Sequence, residues 1–389
     1  MHVLEVNSKS QLKHFHRVPK SIYKEDEHYV YPLEGDIELV FNPAKNPSFD
    51  QGKAIRWVLF DDAEEPVGRI AAFYDVGQNS ESSYPVGGIG FFECINNKDA
   101  AFLLFDTAKA WLQANGMQAM DGPINFGERD KYWGLLVEGF TQPTYLENYH
   151  PPYYKDFFEN YGFQLSIEQL TYGIDRQDFD AKRFTKAAEW ISRKPGLRFE
   201  HFKMGEAERY AQDFAQVYNE ARKRVTNFKP LSPAQILDYL KPMRHILVEE
   251  FIWFAYVNNE PAGIMVMIPD VNQLLAHIEG KLDTWGKMRF LYYKQTQPMT
   301  RAKGLVFGVM PKYRKYGVET VMIYKFYKEV SKTWQYNTVE LSWVNKLNDK
   351  MASLMKNINA HVVKKHHTYR LMFDTSSPSE QEKIKSEQK

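Results

Sequence analysis

Cys94 is the only cysteine among 389 residues. No intramolecular disulfide can form, and a zinc site built on cysteine thiolates is excluded. No apolar run approaches the roughly 18 residues that span a bilayer. The opening stretch MHVLEVNSKSQLKHFHRVPK has no basic segment leading into an apolar core, so no signal peptide is expected. These absences make a reducing cytoplasm the expected location. Three chemical signatures are missing as well: a His-Glu spacing for a metal, a GxSxG elbow and a Walker loop. Metal-assisted hydrolysis, serine hydrolysis of that kind and P-loop NTP chemistry are therefore not expected, and no metal is assigned.

What is present is the make-up of a folded protein, 43% hydrophobic and 25% charged, with 15% aromatic content that argues against wholesale disorder. The length suggests two or three domains. The net charge of +1 hides an asymmetry. Residues 281–374 hold 18 Lys plus Arg against 6 Asp plus Glu, a balance of +12, whereas residues 1–280 hold 29 against 40, a balance of −11. The basic part favours a polyanionic ligand or a solvated basic face. Near-neutral charge overall argues against a large nucleic-acid footprint.

The chain repeats itself. IRWVLFDDAEEPVGRIAAF (55–73) and FIWFAYVNNEPAGIMVMI (251–268) both read strand, turn, strand, with Pro66 and Gly68 matching Pro261 and Gly263 at an offset of 195. FFENYGFQLSIEQLTYG (157–173) matches LMKNINAHVVKKHHTYR (354–370) through Asn160 and Asn357, and Tyr172 and Tyr369, at 197. Two nearly equal offsets so far apart indicate a tandem duplication.

Each copy continues with a strand, a helix and another strand. In the first, GGIGFFEC leads to a helix with Asn97 as N-cap, Gly116 at its end and an apolar face of Ala101, Leu104, Phe105, Ala108, Trp111 and Leu112. In the second, GLVFGVMP leads to a helix carrying Val318, Val321, Met322, Phe326 and Val330. The order per copy is hairpin, strand, helix, strand, helix, strand, a mixed α/β sheet. Long aromatic insertions differ between copies, at 125–154 in the first and 270–303 in the second, and read as walls of a site. The expected domains are 1–174, a linking helix within 175–197, 198–374, and a disordered tail at 375–389.

The stretch VFGVMPKYRKYGVETVMIYKFYKEV (306–330) is a strand, a basic glycine turn and a helix, which offers backbone N–H groups to a phosphate. Taken with the element order, the second copy resembles the GCN5-related N-acetyltransferase (GNAT) fold. The chain to Asp374 further resembles an uncharacterised bacterial family of tandem GNAT-like proteins, through DGPINFGERDKYWGLLVEGF, NYHPPYY and a Tyr-Arg ending. The resemblance implies acetyl-CoA or another acyl-CoA as co-substrate, bound along Val309, Met310, Lys312, Arg314, Lys315, Tyr316, Gly317 and Val318. Asn348, on the closing helix, would face the pantetheine arm. The superfamily's loop reads Arg/Gln-x-x-Gly-x-Gly/Ala, and here Glu319 holds the last place. Its charge suits the helix dipole but competes with an anion for the same amides. CINNKDAA, at this place in the first copy, has no such loop, so CoA is not expected there.

Acyl transfer from a thioester needs a neutral nucleophile, a proton acceptor and donors facing the carbonyl oxygen. The closing-helix tyrosine that commonly protonates the leaving thiolate in the superfamily is replaced here by Met355 and Phe158. Tyr153, Tyr154 or Tyr149 could take over. Glu93 and Glu340 are the candidate bases, Glu93 because burial among Phe91, Phe92 and Cys94 would raise its pKa; a satisfied structural carboxylate is the alternative. Asn125, Tyr149 and His150 are the candidate substrate-binding residues, His150 also reading as a turn residue before Pro151. The expected activity is acyl transfer from CoA to a small-molecule amine or hydroxyl. The other readings are a degenerate tandem module that binds a ligand or protein without turnover, and, more remotely, a tRNA-dependent aminoacyl transferase.

Overall fold

The computed structural model describes residues 1–78, 84–128, 131–223, 230–333, 335–346 and 348–373. The segment 375–389, read as a disordered tail, lies outside the described residues. The first repeat comprises β1 (His2–Glu5), α1 (Lys9–Ile22), α2 (Glu34–Val40), β2 (Gly52–Phe60), β3 (Pro66–Asp75), β4 (Val86–Cys94), α3 (Lys98–Ala114), β5 (Ala119–Gly122), β6 (Leu135–Glu138), α4 (Tyr154–Tyr161) and β7 (Gln164–Asp175). The second comprises α5 (Ala181–Ser192), β8 (Leu197–His201), α6 (Ala207–Arg222), α7 (Pro233–Met243), β9 (Ile252–Val257), β10 (Glu260–Pro269), α8 (Asn272–Leu275) and α9 (Thr284–Thr296). It continues with β11 (Arg301–Val309), α10 (Val318–Thr333), β12 (Thr338–Asn345), α11 (Asp349–Asn357) and β13 (His361–Met372).

The duplication is visible in the register. β1 to β4 pair antiparallel in order and β4 pairs parallel with β5; β8 to β11 pair antiparallel in order and β11 pairs parallel with β12. In the hairpin of β2 and β3, Leu59 faces Gly68 and Phe60 faces Pro66, so Val67 is an extra residue that bulges. In that of β9 and β10, Ala255 faces Gly263 and Tyr256 faces Pro261, so Ala262 bulges in the same way. The two bulges are again 195 residues apart, and the Pro-x-Gly triplets are their local cause. Helix α3 starts as its sequence suggests, with the Asn97 side chain accepting from the Ala100 N–H. Its apolar face is buried except for Trp111, which is half-buried.

Two compact units emerge, neither continuous in sequence. One holds residues 1–170, 275–291 and the chain from 363; the other holds 171–274 and 292–362. Residues 363–372, the last strand of the second repeat by sequence, pair antiparallel with β5 and β6 of the first. Side chains fix this choice: Arg370 donates from Nε and Nη2 to the two carboxylate oxygens of Asp121 at 2.6 and 2.8 Å, and the Tyr369 hydroxyl donates to Glu159 at 3.0 Å. The expected linking helix, α5, is a core element of the second unit, where Ala188 and Ile191 pack against Val321 of α10.

The first unit's core is the face of its sheet covered by α3 and α4, with Leu104, Phe105, Phe158 and Phe92 fully buried. Each such side chain contributes about 1.5–3 kcal/mol of transfer free energy. β13 also anchors the insertion 125–154. Lys364 is buried and its Nζ lies 3.1 Å from Glu147, which accepts at 2.8 Å from the Thr144 N–H. The Trp133 indole donates to Thr368 at 3.0 Å, and His366 meets the Asn148 carbonyl at 3.0 Å. Lys364→Met is expected to destabilise the protein by about 3–5 kcal/mol, because it strands a buried carboxylate. A fall in the urea midpoint, with an unchanged midpoint for an exposed-lysine control, would show it.

Candidate functional site

In the first unit the end of β4 carries Glu93, and α1, β3 and α4 supply its partners. β4 bulges here: Glu93 faces Arg69 and Gly90 faces Ala71, leaving two residues, Phe91 and Phe92, opposite Ile70. The Glu93 carboxylate is buried. Its Oε2 accepts from the hydroxyls of Tyr23 at 2.7 Å and Tyr154 at 2.9 Å. Its Oε1 has only a long contact of 3.5 Å to Arg69 Nη2. Oε1 is therefore the oxygen with capacity left for a proton. Burial raises the Glu93 pKa above the ordinary carboxylate value, against the opposing charge of Arg69 and the two tyrosine hydrogen bonds.

The surroundings are aromatic and polar. The rings of Tyr23 and Tyr29 stack with centroids 3.6 Å apart, and Tyr31 meets Tyr29 edge-on at 4.9 Å. Arg69 lies over the Phe15 ring at 4.8 Å and donates from Nη1 to the Phe15 carbonyl. Two buried polar atoms next to this cluster lack hydrogen-bond partners, Arg69 Nε and the Tyr132 hydroxyl. Three non-glycine residues that pack together there, Phe91, Tyr132 and Leu146, adopt positive φ of 52°, 49° and 65°. Left-handed backbone at bulky residues costs free energy and gathers at functional sites. Unmet donors, strain and a desolvated carboxylate coincide here.

Five of the residues singled out from sequence meet at this place: Glu93, Tyr149, His150, Tyr153 and Tyr154. Tyr153 donates its hydroxyl to the Cys94 carbonyl at 2.9 Å, while the Cys94 N–H is taken by the Tyr154 hydroxyl at 2.6 Å. The backbone groups at the end of β4 are thus satisfied internally. Burial raises the Tyr153 pKa and pushes the Cys94 thiol up to about 12. Tyr149 donates to Asp26 at 2.8 Å, and its carbonyl accepts from Tyr23 at 3.3 Å. His150 Nδ1 accepts from the Leu136 N–H, and burial takes its pKa down to about 3, so its ring is neutral. Asn125 stands apart from these contacts; it donates to the Glu128 carbonyl and leaves its buried Oδ1 without a partner.

In the second unit the basic stretch forms a 3₁₀ turn, Pro311–Tyr316, closed by Gly317 at φ 73°, ψ 21°. A right-handed residue followed by a left-handed one turns successive N–H groups toward one concave side, the geometry that binds anions. Glycine is favoured at 317: a side chain there would be strained by the positive φ, and its Cβ would lie 2.8 Å from Ile191 Cδ1, which would have to shift. Arg314 and Lys315 are exposed, and Arg314 Nε touches the Val309 carbonyl at 3.4 Å. Lys312 is ion-paired with Glu260, which also accepts from the Tyr313 hydroxyl. Met310 and Val318 are buried, and Tyr316 is exposed. In the first turn of α10, Glu319 Oε2 is buried without a partner, and burial raises this carboxyl's pKa. β11 pairs with β12 only as far as Gly304 and Leu341, leaving residues 305–309 unpaired on that side.

The other two candidates have local partners. Glu340 Oε1 accepts from Arg301 Nη1 at 2.9 Å, and Arg301 also bridges to the fully buried Asp270 at 2.6 Å. Asn348 caps α11, accepting from the Met351 N–H at 3.2 Å. Met355 and Phe158 are both core residues. Register identifies the true counterpart of Glu93: Arg69 faces Glu93 as Ile264 faces Gly308. The copies differ in opposite senses: at matching places the first has a carboxylate and no glycine turn, and the second a glycine turn and no carboxylate.

Sequence reading missed Tyr23, Arg69 and Tyr132. For Arg69 a signal existed, since a lone arginine inside the apolar run VGRIAAF must find a buried partner. Tyr23 had none, because nothing in the local pattern of α1 tells that its end reaches β4. Among the described residues no group of three or more His, Cys, Asp or Glu side chains could hold a metal ion, and no helix is long and apolar enough to cross a membrane.

No family model matches the chain. It is 24% identical over 373 residues to a bacterial ceramide synthase from Caulobacter vibrioides, covering 94% of this chain and 96% of that one. It is likewise 24% identical over 372 residues to protein YghO of Escherichia coli, covering 93% of each. Among solved structures, a tandem GNAT protein from the clavulanic acid biosynthesis pathway superposes with a TM-score of 0.57 at 10% identity, over 97% of this chain and 99% of that one. A GCN5-related N-acetyltransferase from Sphaerobacter thermophilus gives 0.51 at 10% identity, over 95% of each. The fold is that of tandem GNAT proteins.

Proposed function

We propose that this tandem GNAT fold works as an acyl-CoA-dependent N-acyltransferase. The turn 310–318 is the candidate acyl-CoA site, and the buried Glu93 is the candidate proton acceptor. The observation that carries the reading is Glu93 itself: a buried carboxylate with raised pKa, one oxygen free of strong hydrogen bonds, and unmet donors around it. In the reaction an amine nitrogen attacks the thioester carbonyl, a C–N bond forms, and the C–S bond breaks. The amine gives its proton to a carboxylate base, and the CoA thiolate takes its proton from solvent, since Met355 and Phe158 carry no hydroxyl. The likeness to a bacterial ceramide synthase favours an amine that carries a long alkyl chain as acceptor, with a fatty acyl group as donor.

Incubation with acetyl-CoA or palmitoyl-CoA and a panel of amines, including sphinganine, tests this. Thiol release that depends on both substrates, with the N-acyl product seen by mass spectrometry, is the expected result. Absence of product from every pair would overturn the transferase reading. A second reading, ligand binding without turnover, is favoured by Glu319, whose carboxyl sits where a pyrophosphate would approach α10. Calorimetry with CoA separates the two, because a binding module for another ligand would give no heat.

A further inference from the structure

Helix α9 turns little of its surface inward. Apart from Gly286, its residues are exposed or half-buried. Its apolar side chains do not turn inward: Trp285 is 66% exposed, Met288 57%, Leu291 57% and Tyr292 62%. At 100° per residue these four fall within one arc of about 120°, which the exposed Gln295 shares. The inward side is held by Gly286, Phe290 and Tyr293. Asp283 fixes the helix start, its side chain accepting from the Gly286 N–H at 2.8 Å and its carbonyl from the Lys287 N–H at 2.9 Å.

The charges around that arc complete the pattern. Residues 281–296 hold four cations, Lys281, Lys287, Arg289 and Lys294, against one acid, Asp283. On the helix projection Arg289 flanks one edge of the apolar arc, and Lys287 and Lys294 flank the other. No carboxylate pairs with Lys287 or Arg289 among the described residues. Lys294 reaches the His245 carbonyl, and Lys281 lies 3.8 Å from Glu34.

We infer that α9 docks the protein on the surface of a bilayer containing anionic lipids. The apolar arc would sit in the plane of the interface, Trp285 and Tyr292 at headgroup level, with cations on both edges meeting lipid phosphates. Charge complementarity selects this occupant. A nucleic acid would engage the cations but leave Met288 and Leu291 in water. A protein groove would cover the arc but would need acidic rims on both sides. The inference does not rest on the transferase reading, and it requires no spanning helix.

The test is flotation of the full chain with phosphatidylcholine vesicles, with and without phosphatidylglycerol. Binding is expected to the anionic vesicles and to weaken with salt. Trp285→Ser with Leu291→Ser, and separately Lys287→Glu with Lys294→Glu, should each lower the partition coefficient about tenfold or more. Trp285, Leu291 and Lys287 are exposed, and Lys294 gives up one exposed hydrogen bond to the His245 carbonyl, so the melting temperature should change little, and acyl-CoA binding at 310–318 should be unchanged. Wild-type protein that stays in the bottom fraction with both vesicles would overturn the inference. So would variants that float as wild type does, or sedimentation showing a dimer that the Trp285→Ser, Leu291→Ser pair dissociates.

Discussion

Glu93→Gln is expected to lower kcat for acyl transfer by about 10²–10⁴-fold while leaving the affinity for CoA unchanged. Glutamine keeps an acceptor for Tyr23 and Tyr154, which donate to Oε2, but cannot take a proton from the attacking amine. The pH profile adds a second readout. Because burial raises the Glu93 pKa, the base is protonated and inactive at a pH where exposed carboxylates are already charged. Activity should climb through that pKa as pH rises, and the residual activity of Glu93→Gln should lack this limb. The substitution also leaves the buried Arg69 without its anionic partner, so some loss of stability accompanies it. A purely structural role would lower the melting temperature yet keep both kcat and the acidic limb, and that outcome would remove Glu93 from the mechanism.

Arg314→Ala should weaken CoA binding about tenfold or more, since a charge-assisted hydrogen bond to phosphate is lost. Glu319→Ala should strengthen it about two- to fivefold, the range that corresponds to a charge in the first turn of a helix. The opposite signs of these two neighbouring substitutions are the core of the prediction. A pH dependence follows from burial of the Glu319 carboxyl, which raises its pKa. Protonation removes the negative charge from the helix terminus, so affinity should rise as pH falls through that pKa, and Glu319→Ala should abolish the dependence. Calorimetry of the three proteins across pH measures all of this. If neither wild type nor Glu319→Ala binds CoA at millimolar concentration, the turn 310–318 is an ordinary strand-to-helix corner.

The sequence by itself determined the duplication and the order of elements. Those properties are written in local chemistry. Pro66-Val67-Gly68 and Pro261-Ala262-Gly263 impose the same bulge wherever the hairpin forms, Asn97 caps α3 through its own side chain, and Gly317 takes without strain a left-handed conformation that costs a bulkier residue free energy. The turn 311–317 was legible for the same reason, as was Glu93 through its apolar neighbours. What only the tertiary structure decided are pairings between distant segments. The last strand of the second repeat lies against β5 because Arg370 finds Asp121 249 residues away, a choice no periodicity records. Glu340 reads from sequence as a candidate base or a satisfied carboxylate, and only the fold brings Arg301, 39 residues earlier, to it. Tyr23 reaches Glu93 across 70 residues and from a helix whose pattern gives no hint of it. Local propensity acts over a few bonds, whereas a buried charge takes the partner that folding brings within hydrogen-bonding distance, whatever the separation along the chain.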